Sequence, residues 1–273
     1  MFNLCLPNFS VLMSVYKKEI PEYLDVSIRS IVEQSVIPSE IILVKDGPLT
    51  SELEVVVKKW KKFLGPTLKV IALDENVGLA EALNVGLSEC SNKIVARMDT
   101  DDKALRFRFE SQLLFLENNK DISCVSALVE EYDESLQRPL KIRLIPEKHQ
   151  EITKFCKRRN PISHPAVMFR KDDVISVGGY PNVYPEDYFL WLKMIQEGYK
   201  FANIQKVLLH MRTGDDFVAR RGVSFLKGEI KIYHYMFKTG FIGAGTFFLN
   251  IVIRSTLRLS PSNIKILFYK FFR

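Results

Sequence analysis

Cysteine is sparse and dispersed. Cys5, Cys90, Cys124 and Cys156 stand far apart, with no pair at zinc-ligand or redox spacing. They predict reduced, packed thiols of a cytosolic chain and exclude a disulfide framework. Glycine is short where the commonest nucleotide-binding folds need it. The dinucleotide pattern and the P-loop are both missing, and "KDGPLT" and "NVGLAEALNVG" hold too little glycine to wrap a pyrophosphate with backbone amides alone. If a nucleotide binds, something else must handle its phosphates. No window offers ~20 uninterrupted apolar residues, which argues against a spanning helix. The start, "MFNLCLPNFSVLMSVYKKE", has no basic segment before its apolar run and no cleavage site, which argues against a signal peptide. Acidic counter-charge is missing from the C-terminal stretch. Between Val218 and Arg273 ten Lys and Arg residues face one acidic residue, Glu229. In a chain of net charge +7, this asymmetry predicts an anionic partner for the tail.

What is present points to an α/β protein. With 273 residues, 47% of them hydrophobic, the chain can bury a substantial core and suits one large domain or a domain plus an appendage. "FSVLMSV", "EIILVKD", "LKVIAL" and "KIVARM" are short, continuously apolar runs of the kind buried on both faces of a parallel sheet. Helical patterns lie between them. Leu24, Ile28, Ile31 and Val32 follow Pro21; Leu53, Val56, Val57, Trp60 and Leu64 precede Gly65-Pro66; Leu79, Ala82, Leu83 and Leu87 form the third. Such alternation predicts a Rossmann-like, mainly parallel sheet flanked by helices. Ligands of these sheets sit beyond the carboxyl ends of the strands, where Tyr16, Asp46 and Asp99 stand.

Three aspartates, Asp99, Asp101 and Asp102, crowd four positions after the fourth run. Their mutual repulsion becomes useful once a hard dication, Mn²⁺ or Mg²⁺, arrives to be shared with substrate phosphates. A solvated acidic turn or a helix cap before "KALRFRF" is the alternative reading. A second acidic pair, Glu186 and Asp187, opens a helical pattern anchored by Leu190, Trp191, Met194 and Ile195. Acidic residues there also suit the helix dipole.

Taken together, "SVLMSVY", "EIILVKDGP", "ENVGLAEALNVGL", "ARMDTDD", "RFESQ", "NPISHPAVMFRK", "GGY" and "PEDYFLWLKM" resemble, in order and spacing, the family 2 glycosyltransferases of GT-A fold over the first ~215 residues. Within that family the resemblance is to bacterial enzymes of capsule, O-antigen and exopolysaccharide synthesis. It implies an inverting transfer of a hexose, with galactose the suggested sugar, from a UDP-sugar to a lipid-linked saccharide. It implies that Tyr16 and Asp46 hold the uracil and ribose, that Asp99 meets the ribose or the metal, and that Asp101 is the main metal ligand, with His210 a further candidate. Asn76, Gly78 and Asn84 fall in the family's Asn-x-Gly stretch. Leu83 stands where many members carry arginine, and Arg97 is a possible substitute for that charge. Asp187 is the implied base, with Glu186 orienting the acceptor or the loop.

His164 is a candidate contact for the acceptor or a phosphate, and as readily a packed structural residue. In "LLHMRTGDDFVARRG" Arg212, Arg220 and Arg221 are candidates to close over the diphosphate, as arginine pairs with phosphate in two-pronged fashion; a solvated basic run is the other reading. Arg106 and Arg108 read as neutralising the aspartates. The expected division is a catalytic domain over 1–221, with a nucleotide-binding half (1–102) and an acceptor half (103–221), followed by a basic amphipathic helical tail over 222–273. The tail reads as either capping the domain or lying on the inner face of the cell membrane, and no nucleic-acid motif accompanies it. The rivals are a nucleotidyltransferase of sugar-nucleotide metabolism and a non-catalytic carbohydrate-binding scaffold.

Overall fold

The computed structural model describes residues 6–213 and 222–260. Four strands, β1 (Ser10–Val15), β2 (Glu40–Lys45), β3 (Leu68–Ala72) and β4 (Ile94–Arg97), form a parallel array in the order β3-β2-β1-β4. Their continuous apolar character follows from burial on both faces. Val11, Met13 and Val15 enter one core, shared with Leu24 and Ile28 of α1 (Pro21–Val32) and with Leu53 and Trp60 of α2 (Ser51–Leu64). Leu12, Ile42 and Val44 point the other way, toward Ala82, Leu83 and Leu87 of α3 (Leu79–Glu89). Local chemistry sets the helix ends. Thr50 caps α2 by accepting a hydrogen bond from the Leu53 amide, and Gly65 and Pro66 stop it.

The second half extends the sheet with mixed direction. β5 (Lys103–Ala104) leads into α4 (Arg108–Asn118), followed by β6 (Ile122–Tyr132), β7 (Pro139–Arg143), α5 (His149–Cys156), β8 (Met168–Arg170), α6 (Lys171–Ser176), α7 (Glu186–Gln196) and β9 (Lys200–Arg212). β8 lies antiparallel between β4 and β6, and β9 runs parallel to β6. β5 and β7 pair antiparallel with β9 and β6. Cys90, Cys124 and Cys156 are buried free thiols, as their dispersal predicts.

The tail packs on the domain. α8 (Val223–Lys238) places Ile232, Tyr233 and Met236 in the same core as Trp191 of α7. Gly228 makes this approach possible, because a Cβ there would lie 1.4 Å from the Tyr184 carbonyl oxygen. α9 (Ala244–Leu259) lies against α8 and buries only Asn250 and Arg258. No described helix is long and apolar enough to cross a membrane. The aromatic-rich end, 266–273, lies outside the described residues.

Candidate active site

The carboxyl ends of β1, β2 and β4 open into one cleft of about 1390 Å³, which also takes in the start of α7 and one side of α8 and α9. Tyr16, Asp46, Asn76 and Gly78 line the end of the cleft nearest β1 and β2. Asp46 is buried and ties the loop after β3 to the end of β2. Its carboxylate accepts from the Val77 amide at 2.7 Å and from Asn76 Nδ2 at 2.9 Å. Gly47, at φ +84°, lets the chain turn there, since a Cβ would meet the Asn76 nitrogen at 2.8 Å.

Asp99, Asp101 and Asp102 all line the cleft, and each offers a carboxylate oxygen within 4.8 Å of the others. The loop that carries them is pinned on both sides. Ser27 Oγ donates to the Asp99 carbonyl at 2.7 Å. The Arg212 amide donates to Asp102 Oδ1 at 2.9 Å, and its guanidinium donates to the carbonyls of Asp101 and Glu134 while lying over the Tyr23 ring. Burial, then the charges of Asp101 and Asp99, hold the Asp102 carboxyl well above the ordinary range. Crowded carboxylates whose oxygens converge on one point fit a hard dication.

Beneath the cluster lies Arg97, 1% exposed and ion-paired with Asp99. Burial opposes its charge, but Asp99, with Tyr180 and Asp102 behind it, favours the charged form and the pKa is raised. Arg97, rather than Arg106 or Arg108, therefore supplies the cation at the cluster. Arg108 is a buried strut that donates to the Arg97 carbonyl at 2.6 Å and to Gln112; burial and the Arg97 charge push it down to about 9. Arg106 stacks over Phe107 outside the cleft.

Across the same cleft stand Glu186 and Asp187, in the first turn of α7. The buried Leu190, Trp191 and Met194 fix that helix to the core. Asp187 accepts from Asn160 Nδ2 at 2.6 Å and from the Tyr188 amide at 2.8 Å. Burial raises its pKa despite these donors. Burial and the neighbouring Asp187 charge push Glu186 up to about 7. Two carboxylates so placed suit proton transfer near neutrality.

Several expected residues stand elsewhere. His210 is not with the aspartates: it pairs with Lys103 in the sheet, stacks on Tyr132 and faces Glu130 at 3.4 Å, outside the cleft lining. At this end of β9 it is Met211 and Arg212, not His210, that line the cleft. Asn84 is also withdrawn, both ends of its amide being spent on the Tyr180 backbone at 2.8 Å. His164 lines the cleft but is buried, 3.2 Å from the Tyr180 hydroxyl. Burial and the Arg97 charge hold it well below its ordinary pKa, so it is a neutral group rather than a phosphate-binding cation. Arg220 and Arg221 lie outside the described residues. Sequence reasoning gathered Asp102 into the acidic cluster without naming it a ligand, and missed Asn160 as the partner of Asp187 and Arg143, Arg158 and Arg159 as cleft residues. Only "KRRN" before "PISHP" signalled the last group.

The model of glycosyl transferase family 2 matches residues 10–178. The chain belongs to that family. This glycosyltransferase is 40% identical over 267 residues to the amylovoran biosynthesis glycosyltransferase AmsE of Erwinia amylovora, covering 96% of this chain and 98% of that one. It is 38% identical over 266 residues to a UDP-Gal:alpha-D-GlcNAc-diphosphoundecaprenol beta-1,3-galactosyltransferase of Escherichia coli, covering 97% and 96%. Among solved structures, the mannosyltransferase PcManGT of Pyrobaculum calidifontis, in complex with GDP-Man and Mn²⁺, superposes with a TM-score of 0.67 at 16% identity, covering 94% of this chain and 71% of that one. The fold is GT-A, as the strand pattern and motifs predict. Family membership sets aside the nucleotidyltransferase and the non-catalytic scaffold.

Proposed function

We propose that this glycosyltransferase is an inverting, metal-dependent galactosyltransferase of bacterial surface polysaccharide synthesis. It transfers galactose from UDP-galactose to a lipid-linked saccharide at the inner face of the membrane. The observation that carries the reading is the facing of two acidic sites, Asp99–Asp102 and Glu186–Asp187, across one cleft. The named donor and acceptor of the Escherichia coli relative support the choice of substrates.

In this reading each wall has its own work. Tyr16 and Asp46 hold the uracil and ribose, and the Asp46 carboxylate accepts from the uracil N–H. Asp101, with Asp99 and Asp102, would hold Mn²⁺ or Mg²⁺, which supplies charge neutralisation for the leaving diphosphate. Arg212 keeps the ligand loop in place. Asp187 takes the proton from the acceptor hydroxyl as that oxygen bonds to the anomeric carbon and the bond to the diphosphate oxygen breaks, with UDP departing. Attack from the side opposite the leaving group inverts the configuration. Asn160 aims the base, and Glu186 orients the acceptor. Residues 1–221 serve as the catalytic domain, in nucleotide and acceptor halves, α8 and α9 pack against it, and the basic end of the tail that follows meets the membrane.

The test is UDP release from a panel of UDP-sugars, with and without Mn²⁺, in the presence of lipid-diphosphate-linked saccharides. Metal-dependent turnover of UDP-galactose with inverted product is expected. Turnover confined to another donor, or unchanged by chelator, overturns the corresponding part of the reading.

A further inference from the structure

Helix α9 is amphipathic in the reverse sense. Its polar stripe, Asn250, Arg254 and Arg258, spaced four apart, faces the protein. Asn250 Nδ2 donates to the Lys157 carbonyl at 2.8 Å, Arg254 donates to the Arg158 carbonyl and the Tyr233 hydroxyl, and Arg258 forms a two-pronged ion pair with the buried Glu229 at 2.9 and 3.0 Å. Phe247 and Ile251 pack against the core, but Phe248, Leu249, Val252, Ile253 and Leu259 turn outward. Leu249, Val252 and Ile253 are 56%, 62% and 49% exposed. A surface helix ordinarily does the opposite, and a contiguous apolar face of this kind marks a contact site.

The place of that face limits what covers it. Leu249, Val252 and Ile253 line the same cleft as Asp101 and Asp187. A single short segment, 157–160, joins the two regions. The carbonyls of Lys157 and Arg158 receive α9, whereas Asn160 holds Asp187. Between them Arg158 and Arg159 line the cleft, with the Arg159 guanidinium over the Phe155 ring. Along this segment the wall therefore links a carboxylate, two arginines and a hydrocarbon face. A molecule complementary to that wall carries a hydroxyl, an anionic phosphate group and an apolar chain.

We infer that this wall is the acceptor-binding site. Arg158 and Arg159 receive the acceptor's diphosphate, and the outward face of α9 receives the first part of its hydrocarbon. The inference rests on the lipid-linked acceptor of the proposed function and adds that the protein itself, not only the membrane, reads the lipid.

The experiment uses the full chain in vesicle-free buffer with one saccharide carried on alkyl diphosphates of short and long chain. For the wild type, kcat/KM rises with chain length, by up to about fourfold for each methylene buried. In Leu249→Ser/Val252→Ser/Ile253→Ser, whose exposed positions place little burden on folding, the long-to-short ratio falls toward one. Arg158→Gln lowers kcat/KM for diphosphate acceptors of both lengths and leaves the ratio intact. The inference is overturned by a wild-type ratio near one without vesicles, which would assign the face to the membrane surface. It is equally overturned if the triple variant keeps the ratio while losing self-association, which would assign the face to a second copy. Absence of UDP release with every acceptor would instead sink the proposed function, so the two failures are distinguishable.

Discussion

Glu186→Gln separates stability from chemistry in a way the cleft makes quantitative. The Glu186 side chain is 7% exposed, and burial followed by the Asp187 charge moves its carboxyl from 4.5 to about 7. A carboxyl that holds its proton more firmly in the folded chain than in the unfolded one stabilises the fold fully below about 4.5. That contribution is lost as pH rises through about 7. At ~1.4 kcal/mol per pH unit, the cost of the ionised form approaches ~3 kcal/mol at pH 8.5. Glutamine has nearly the same shape and cannot ionise. Melting temperatures of wild type and variant, measured in chelator, should nearly coincide at pH 5. They should diverge as pH rises, the variant being higher by roughly 5–10 °C at pH 8.5 if the whole cost is recovered. The two carboxyls titrate as a pair, so the substitution also lets Asp187 ionise at lower pH, and the acid limb of kcat/KM moves down even as the rate falls. Melting curves that stay parallel from pH 5 to 9 would refute this account of the carboxylate pair.

Asp187→Asn should abolish transfer while leaving UDP–Mn²⁺ affinity within a few-fold, measured by calorimetry; substantial residual transfer removes Asp187 as the base. Asn160→Ala removes the 2.6 Å donor to Asp187 and should lower kcat while donor KM stays put, with the acid limb shifting to higher pH. Arg258→Met strands the buried Glu229 carboxylate and should cost about 3 kcal/mol in chemical denaturation; a loss below ~1 kcal/mol would show that Arg254, 3.6 Å from Glu229, suffices. Replacing Lys265, Lys270 and Arg273 by glutamine should weaken flotation with anionic vesicles by ~1 kcal/mol per charge, and unchanged flotation contradicts the basic tail as the membrane contact.

Legibility in the sequence followed the distance over which each feature is determined. The parallel strands were readable because burial on both faces leaves a continuous apolar run, as in "EIILVKD", and Asp46, Asp99, Asp101 and Asp187 were readable because they sit where those runs or helices begin and end. What stayed hidden depends on contacts distant along the chain. Asn84 looked like a site residue by its motif, yet its amide is consumed by Tyr180, ninety-six positions away. His210 looked like a ligand by type, yet its register opposite Lys103 decides its direction. Asn160 meets Asp187 only because the 157–160 segment is threaded between α7 and α9. The tail illustrates the same limit. Its mixture of aromatics, aliphatics and basic residues fits either a capping helix or a surface helix, and the chain uses both: α8 buries its apolar side in the core, whereas α9 packs Phe247 and Ile251 there and exposes Phe248, Leu249, Val252 and Ile253.

Arg97 connects the two acidic sites. It is paired with Asp99 on one side, and its charge also acts on Asp102, Glu186 and Asp187, pulling each carboxyl toward its ionised form against burial. Two acidic sites that together gather five carboxylates without a fixed cation would hold protons on several of them, and protonated groups ligate a dication poorly and cannot take the proton of an acceptor hydroxyl. One guanidinium on the floor lessens that conflict at both walls at once. Its own Nε has no hydrogen-bond partner in the structure, a cost of roughly 1–3 kcal/mol for a buried polar group. Burial at such a cost is consistent with a group retained for the electrostatics of the cleft rather than for the stability of the fold.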